Sequence, residues 1–221
     1  MKKILIIAPH ADDEILGCGA TISKYIEKSY EVMVLIMTNA NLGNPKIFSK
    51  NLIKQIRAEC LDANNSLGVS NIKFYDFPAL KLNTSHISEI ASVINKSILK
   101  FKPNKVFIPN INDIHSDHKI IHEASLVAVR PINTFQVDEV LSYETLSETE
   151  WGDTPFSPNK YEVLKKKHIS DKLRAFKKYK SQIKKNFHPR SIEGIKILSK
   201  LRGSNISAEN AEAFKIIRKI D

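Results

Sequence analysis

Two cysteines, Cys18 and Cys60, are all that 221 residues contain. That is too few for a disulfide framework, and a chain of this length can bury a core without one. Buried thiols and a cytoplasmic location are therefore expected. No apolar run approaches the ~20 residues of a membrane span. Met1-Lys2-Lys3 before the apolar residues 4–8 has the outline of a signal peptide, but the apolar part is too short and charge follows at once. The chain also lacks a P-loop and a Gly-x-Ser-x-Gly elbow, which removes support for nucleotide hydrolysis and serine-esterase chemistry. Despite a formal charge of +10, there is no helix-turn-helix, zinc-finger or RNA-binding signature, so nucleic acid is not an expected partner. Gly17-x-Gly19 lacks the third glycine of a dinucleotide fingerprint, Ile22 standing in its place; small residues there suit a helix packed closely on a sheet. With no internal repeat or low-complexity segment, residues 1–221 read as one domain whose portion from about 160 is basic and helical.

What is present concentrates in two places. Residues 4–8 form a continuous apolar run, as in a strand buried on both faces. The run breaks at Pro9 and sets down His10, Asp12, Asp13 and Glu14 where a helix begins. Residues 106–108 do the same, running out into Asn112, Asp113, His115, Asp117 and His118 before another helical pattern. Open α/β sheets place ligands at such strand ends, and two of them can be adjacent although far apart in sequence. Imidazole and carboxylate are ligands for a divalent metal, and a catalytic metal keeps one position for water. Of two adjacent aspartates, one can bind the metal while the other faces the water. On this reading His10, one of Asp12 and Asp13, and His118 are ligands, and Asp117 holds a histidine in one tautomer. The plainer alternative is that Asp12 or Asp13 caps the helix and His10 is an ordinary loop residue. His122, one turn beyond His118, is either a further ligand or an ordinary helix histidine.

Pro9-His10-Ala11-Asp12-Asp13-Glu14 together with His115-Ser116-Asp117-His118 resembles the two motifs of the PIG-L/LmbE family of metal-dependent de-N-acetylases. Arg57-Ala58-Glu59, Leu67-Gly68-Val69 and the closing Ala211-Glu212-Ala213-Phe214 resemble further landmarks of that family. The resemblance implies metal ligation by His10, Asp13 and His118, with Asp12 as the general base. It implies that His115 stabilises the oxyanion or protonates the leaving amine, with Asp117 orienting it, and that Arg57 contacts substrate. Some members carry a tyrosine before the second motif; here Asn112-Asp113-Ile114 stand there instead. Zn²⁺ is the default cofactor, and the same ligands accept Fe²⁺, Mn²⁺, Co²⁺ or Ni²⁺. The implied reaction removes the acetyl group of an amino-sugar conjugate of N-acetylglucosamine type, releasing acetate and an amine. Independently of any family, amide hydrolysis needs an activated water, a base and an acid, which these residue types supply.

The remaining pattern alternates strands and helices. Strands are expected over 31–37, 72–76, 105–109 and 137–143, and helices over 14–28, 46–67, 85–101 and 117–129. This predicts an α/β, Rossmann-like three-layer αβα sandwich with a mostly parallel sheet. Asn39 and Asn41, in the loop after the second strand, are candidate sugar contacts. Residues 145–159 form a long irregular connection that can bring Trp151 or Phe156 over the site. A basic helix is expected over 160–185 and a last helix over 207–219. The lysines there are either a solvated face or an attraction for an anionic partner, such as a nucleotide-linked sugar, an envelope-glycan precursor or a membrane surface. A homo-oligomer is compatible with the sequence. Hydrolysis of another bond, such as a phosphoester, and anionic-polymer binding by a vestigial site are the rival functions.

Overall fold

The structure is a computed structural model that describes residues 1–84, 86–132 and 134–220. Strand β1 (Lys3–Ala8) is the centre of the sheet, and its residues from Ile4 to Ala8 are wholly buried. It lies between β2 (Glu31–Asn39) and β4 (Lys105–Pro109), both parallel to it. β3 (Asn71–Pro78) extends the sheet beyond β2, and β5 (Glu139–Tyr143) extends it beyond β4, again in parallel. With β6 (Lys160–Val163) and β7 (Ala211–Lys219) the full order is β3-β2-β1-β4-β5-β7-β6. The chain moves outward from β1 in one direction through β2 and β3, then restarts on the other side at β4. The crevice between the C-terminal ends of β1 and β4 is thus a topological switch point, where such sheets bind ligands.

Alternate residues of the strands feed opposite cores. Ile4, Ile6, Val32, Val34 and Phe107 pack with α1 (Asp13–Glu27), α3 (Lys50–Ser66), α6 (Lys166–Phe176) and α7 (Ile192–Ser204). Leu5, Ile7, Met33, Leu35 and Val106 pack with α4 (Ile87–Phe101) and α5 (Ser116–Ala128). The result is the expected Rossmann-like αβα sandwich. Gly17 in α1 lies against the ring of Tyr143, where a Cβ would come within 2.3 Å of the ring. Ser85, expected to open α4, lies outside the described residues.

The C-terminal third departs from expectation. Residues 160–185 are not one basic helix: β6 (Lys160–Val163) precedes α6, and residues 177–190 run as turns and loop. Phe176 and Tyr179 bury completely, whereas Asn186 and Pro189 resist helix continuation. Helix α7 was not anticipated; it starts at Ser191, whose side chain accepts from the Gly194 N–H. The last expected helix is a strand, β7 (Ala211–Lys219), antiparallel to both β5 and β6. Phe214 is fully buried there, and pairing on both sides outweighs the moderate helix propensity of Ala-Glu-Ala-Phe-Lys. The long helix expected over 46–67 is likewise shorter: a four-residue turn of helix, α2 (Ala40–Gly43), precedes α3. Among the described residues no helix is long and apolar enough to cross a membrane, and Cys18 and Cys60 are free and buried.

Candidate metal and active site

The turn after β1 is shaped by hydrogen bonds from its neighbours. Thr38 fixes the Pro9 carbonyl with both its backbone N–H (3.1 Å) and its hydroxyl (2.8 Å). Asp12 then adopts φ 127°, ψ −27°, a conformation costing a non-glycine residue on the order of 1–3 kcal/mol. Its backbone N–H donates to Glu14 Oε2 at 3.0 Å, and its carbonyl accepts from Leu16 at 2.9 Å. Glu14 is itself completely buried and accepts from Asn64 Nδ2 (2.8 Å) and from the Tyr179 hydroxyl. The strain at Asp12 is therefore held by α3 and by the segment after α6.

Around this turn the two distant motifs meet. Asp13 Oδ2 accepts from the His10 N–H (2.8 Å) and lies 3.3 Å from His10 Nδ1 and 3.2 Å from His118 Nε2. Ligand atoms of His10, Asp13 and His118 all lie within 4.8 Å of one another, and so do those of His10, His115 and Asp117. Among the described residues, His118 Nε2, Asp13 Oδ1 and Asp117 Oδ1 are buried without a hydrogen-bond partner. Donor atoms of three convergent imidazole and carboxylate groups fit a divalent cation, since buried polar atoms otherwise cost free energy.

Carboxylates hold these histidines from behind. Asp113 Oδ2 lies 2.7 Å from His118 Nδ1, and Asp113 Oδ1 accepts from the Thr149 hydroxyl at 2.5 Å. Asp117, expected to orient His115, meets that ring through its backbone N–H, while its carboxylate turns to His10. Its Oδ2 meets His10 Nε2 at 3.1 Å and accepts from the Leu80 N–H at 2.8 Å, while its backbone N–H donates to His115 Nδ1 at 3.1 Å. Sequence reading missed Asp113 as an orienting group, although a carboxylate five residues before a candidate ligand was the available signal.

Electrostatics follow from this packing. Burial pushes Asp12 up to about 7, partly offset by Arg190, whose Nη1 is 3.2 Å from Asp12 Oδ2. Burial opposes the charge on His118 and His10, but their carboxylate partners outweigh it and raise them to about 10 and about 9. Burial, with the positive charges of His10 and His118, pushes His115 down to about 4. Arg190 also bonds Ser147 Oγ (2.7 Å) and Glu148 Oε1 (2.8 Å). It arrives from the loop before α7, and no motif in the sequence marks it.

A cavity of about 190 Å³ opens beside the group, lined by His10, Asp12, Arg57, His115, Gln182 and Arg190 among apolar residues of β2, α3 and the β3–α4 loop. Arg57 forms part of its wall, paired with Asp76 at 2.5 Å and donating to the Tyr75 carbonyl. Asn39 and Asn41 are not in the wall. Asn39 donates to Asp76 and caps α2, and Asn41 donates to the Phe48 carbonyl. His122 donates from Nδ1 to the Pro109 carbonyl at 2.8 Å and stands outside the histidine group. Trp151 is half exposed with its ring against His188, and Phe156 lies beneath the Arg202 guanidinium; neither is in the cavity wall. Glu59 and Glu212, in two of the landmark segments, are structural. Glu59 accepts from the Ser181 hydroxyl, and Glu212 accepts from the Thr21 N–H and from Lys172.

The chain as a whole is similar to known proteins. The family described as PIG-L, GlcNAc-PI de-N-acetylase, matches residues 5–129. An uncharacterised deacetylase of Escherichia coli, YaiS, is 31% identical over 182 residues, covering 81% of this chain and 91% of that protein. A probable N-acetyl-α-D-glucosaminyl L-malate deacetylase of Bacillus anthracis is 26% identical over 190 residues, covering 82% of this chain and 81% of the relative. Among solved structures, a conserved protein of Thermus thermophilus superposes with a TM-score of 0.81 at 23% identity, covering 100% of this chain and 97% of the other.

Proposed function

The chain belongs to the PIG-L family of de-N-acetylases and is a carbohydrate N-deacetylase, and from that premise we propose that it hydrolyses the N-acetyl group of an N-acetylglucosamine-type conjugate with zinc as its metal. The observation that carries this reading is the convergence of His10, Asp13 and His118 beside a cavity that also holds Asp12 and His115. His10, Asp13 and His118 would hold the ion, which when bound polarises the amide carbonyl and acidifies water.

The chain's own groups supply the proton traffic. Asp12 has a pKa near neutrality, which suits a general base. It takes a proton from the attacking water and returns it to the departing amine. Arg190 positions Asp12 and moderates the burial that raises it. His115 is neutral at pH 7, and its Nδ1 accepts the Asp117 N–H, so its proton resides on Nε2. That assignment favours His115 as a hydrogen-bond donor to the oxyanion over a role as the acid, a contribution commonly worth ~10²–10³ in rate. The Arg57–Asp76 pair offers donors and an acceptor together, which suits sugar hydroxyls. Because Arg57 and Arg190 are both already paired with carboxylates, the cavity suits a neutral hexosamine, and any anionic part of the substrate is read outside it.

The test is acetate release from a panel of N-acetylated amino sugars by the zinc-reconstituted protein. Asp12→Asn is expected to retain the metal and lose about 10²–10⁴ in turnover. Full activity in a folded Asp12→Asn would refute the assignment of the base.

A further inference from the structure

The stretch between α6 and α7 has two faces. Inward, Tyr179 bonds Glu14, Ser181 bonds Glu59, and Gln182 and Arg190 enter the cavity wall. Outward, Lys177, Lys178, Lys180, Lys184 and Lys185 are exposed, and among the described residues none of their ammonium groups pairs with a carboxylate. By contrast Lys165, Lys166 and Lys167 of the neighbouring turn each have an acidic partner. At the tip stands Phe187, 105% exposed with φ 71°. A phenylalanine wholly in water has given up the burial that usually explains an aromatic side chain.

Other apolar side chains emerge around the same cavity mouth. Ile47 (67% exposed) precedes Phe48 of the wall, Leu80 (48%) is in the wall, and Ile114 (56%) precedes His115. Trp151 (55%) has its ring 6.0 Å from that of His188, next to Phe187. These residues follow β2, β3, β4 and β5, so the apolar rim lies at the C-terminal edge of the sheet, where Gln182 and Arg190 of the lysine-bearing stretch also enter the cavity wall. Exposed acidic residues on these loops are already engaged. Asp76 is engaged by Arg57, Glu150 accepts from the Ser147 N–H, and Asp153 accepts from the Thr154 hydroxyl.

We propose that residues 177–187, with the apolar rim of the cavity, form a docking surface for an anionic phospholipid membrane, placing the mouth of the cavity against the bilayer surface. Lysines near an anionic leaflet attract it, and aromatic and aliphatic side chains enter the headgroup region beside them. Nucleic acid also meets lysines and aromatic rings, but it stacks on flat rings. The aliphatic Ile47, Leu80 and Ile114 match acyl chains instead. This surface is independent of the reaction proposed above, and its test reads no activity.

The experiment is co-sedimentation of the full chain with phosphatidylglycerol-containing vesicles and with pure phosphatidylcholine vesicles. Binding to the anionic vesicles only, weakened at about 1 M salt where the screening length falls to ~3 Å, is expected. Each lysine contributes about fivefold in partitioning, so Lys184→Ala with Lys185→Ala should weaken binding on the order of 25-fold. Phe187→Ala should weaken it roughly tenfold. All three positions are exposed, and circular dichroism verifies the fold of the variants. Absence of binding to anionic vesicles, or equal binding to neutral ones, overturns the proposal. So does binding that is insensitive to Phe187→Ala and abolished by heparin, which would make the partner a soluble polyanion.

Discussion

Replacing Asp113 by asparagine isolates the part of the site that the sequence motifs did not announce. The carboxylate is fully buried, holds His118 Nδ1 at 2.7 Å with one oxygen and takes the Thr149 hydroxyl at 2.5 Å with the other. Asparagine fills the same space but has a single acceptor oxygen, so it cannot accept from both His118 and Thr149 as the two carboxylate oxygens do. It also lacks the negative charge that makes the imidazole a more basic ligand. Carboxylates behind a ligating histidine typically carry about 10–100-fold of metal affinity or activity. That corresponds to about 1.4–2.7 kcal/mol. Loss of a hydrogen bond to a charged group predicts a further drop in folding stability of about 1.5–3 kcal/mol. The assay is competition for zinc against a chromophoric chelator, with urea unfolding alongside. Asp62→Asn, on the exposed face of α3, is the control. A cooperatively folded Asp113→Asn whose zinc affinity lies within twofold of the parent would refute the reasoning.

Arg190→Gln should move the acid limb of kcat/KM to higher pH. Arg190 lowers the pKa of Asp12, the base must be ionised, and without Arg190 ionisation is completed later; a pH–rate profile reads the shift. On the proposed ligation by His10 and His118, zinc has to replace protons those rings otherwise keep to about pH 9 and 10. Affinity should therefore climb from pH 7 towards 9 with proton release, which calorimetry in buffers of different ionisation enthalpy measures. Tyr179→Phe removes a buried hydroxyl that donates to Glu14 and should cost about 1–3 kcal/mol in urea unfolding. Gly17→Ala drives a methyl into the Tyr143 ring and should destabilise by about 1–3 kcal/mol.

Strands β1, β2 and β4 of the parallel half were legible because each is buried on both faces and reads as an apolar run ending in polar residues. The same local signal exposed His10, Asp12, Asp13, His115 and His118, since uncompensated charge at the end of a buried strand has few structural uses. The C-terminal third was not legible. β7 forms because β5 and β6 present unpaired backbone on either side of it, and no local pattern encodes those neighbours. Lys172 reads as one more basic residue in a lysine-rich stretch, yet it is buried, donating to the Leu16 carbonyl and Glu212.

The sequence by itself determined which side chains stand at the two strand ends, because motif and periodicity are local. Only the tertiary structure decided what surrounds them. Asp113 became the support of His118, Asp117 turned to His10 and Leu80, and Arg190 crossed 178 residues of sequence to reach Asp12. Those choices depend on which loops the strand order brings to one crevice, and strand order is a property of the whole chain.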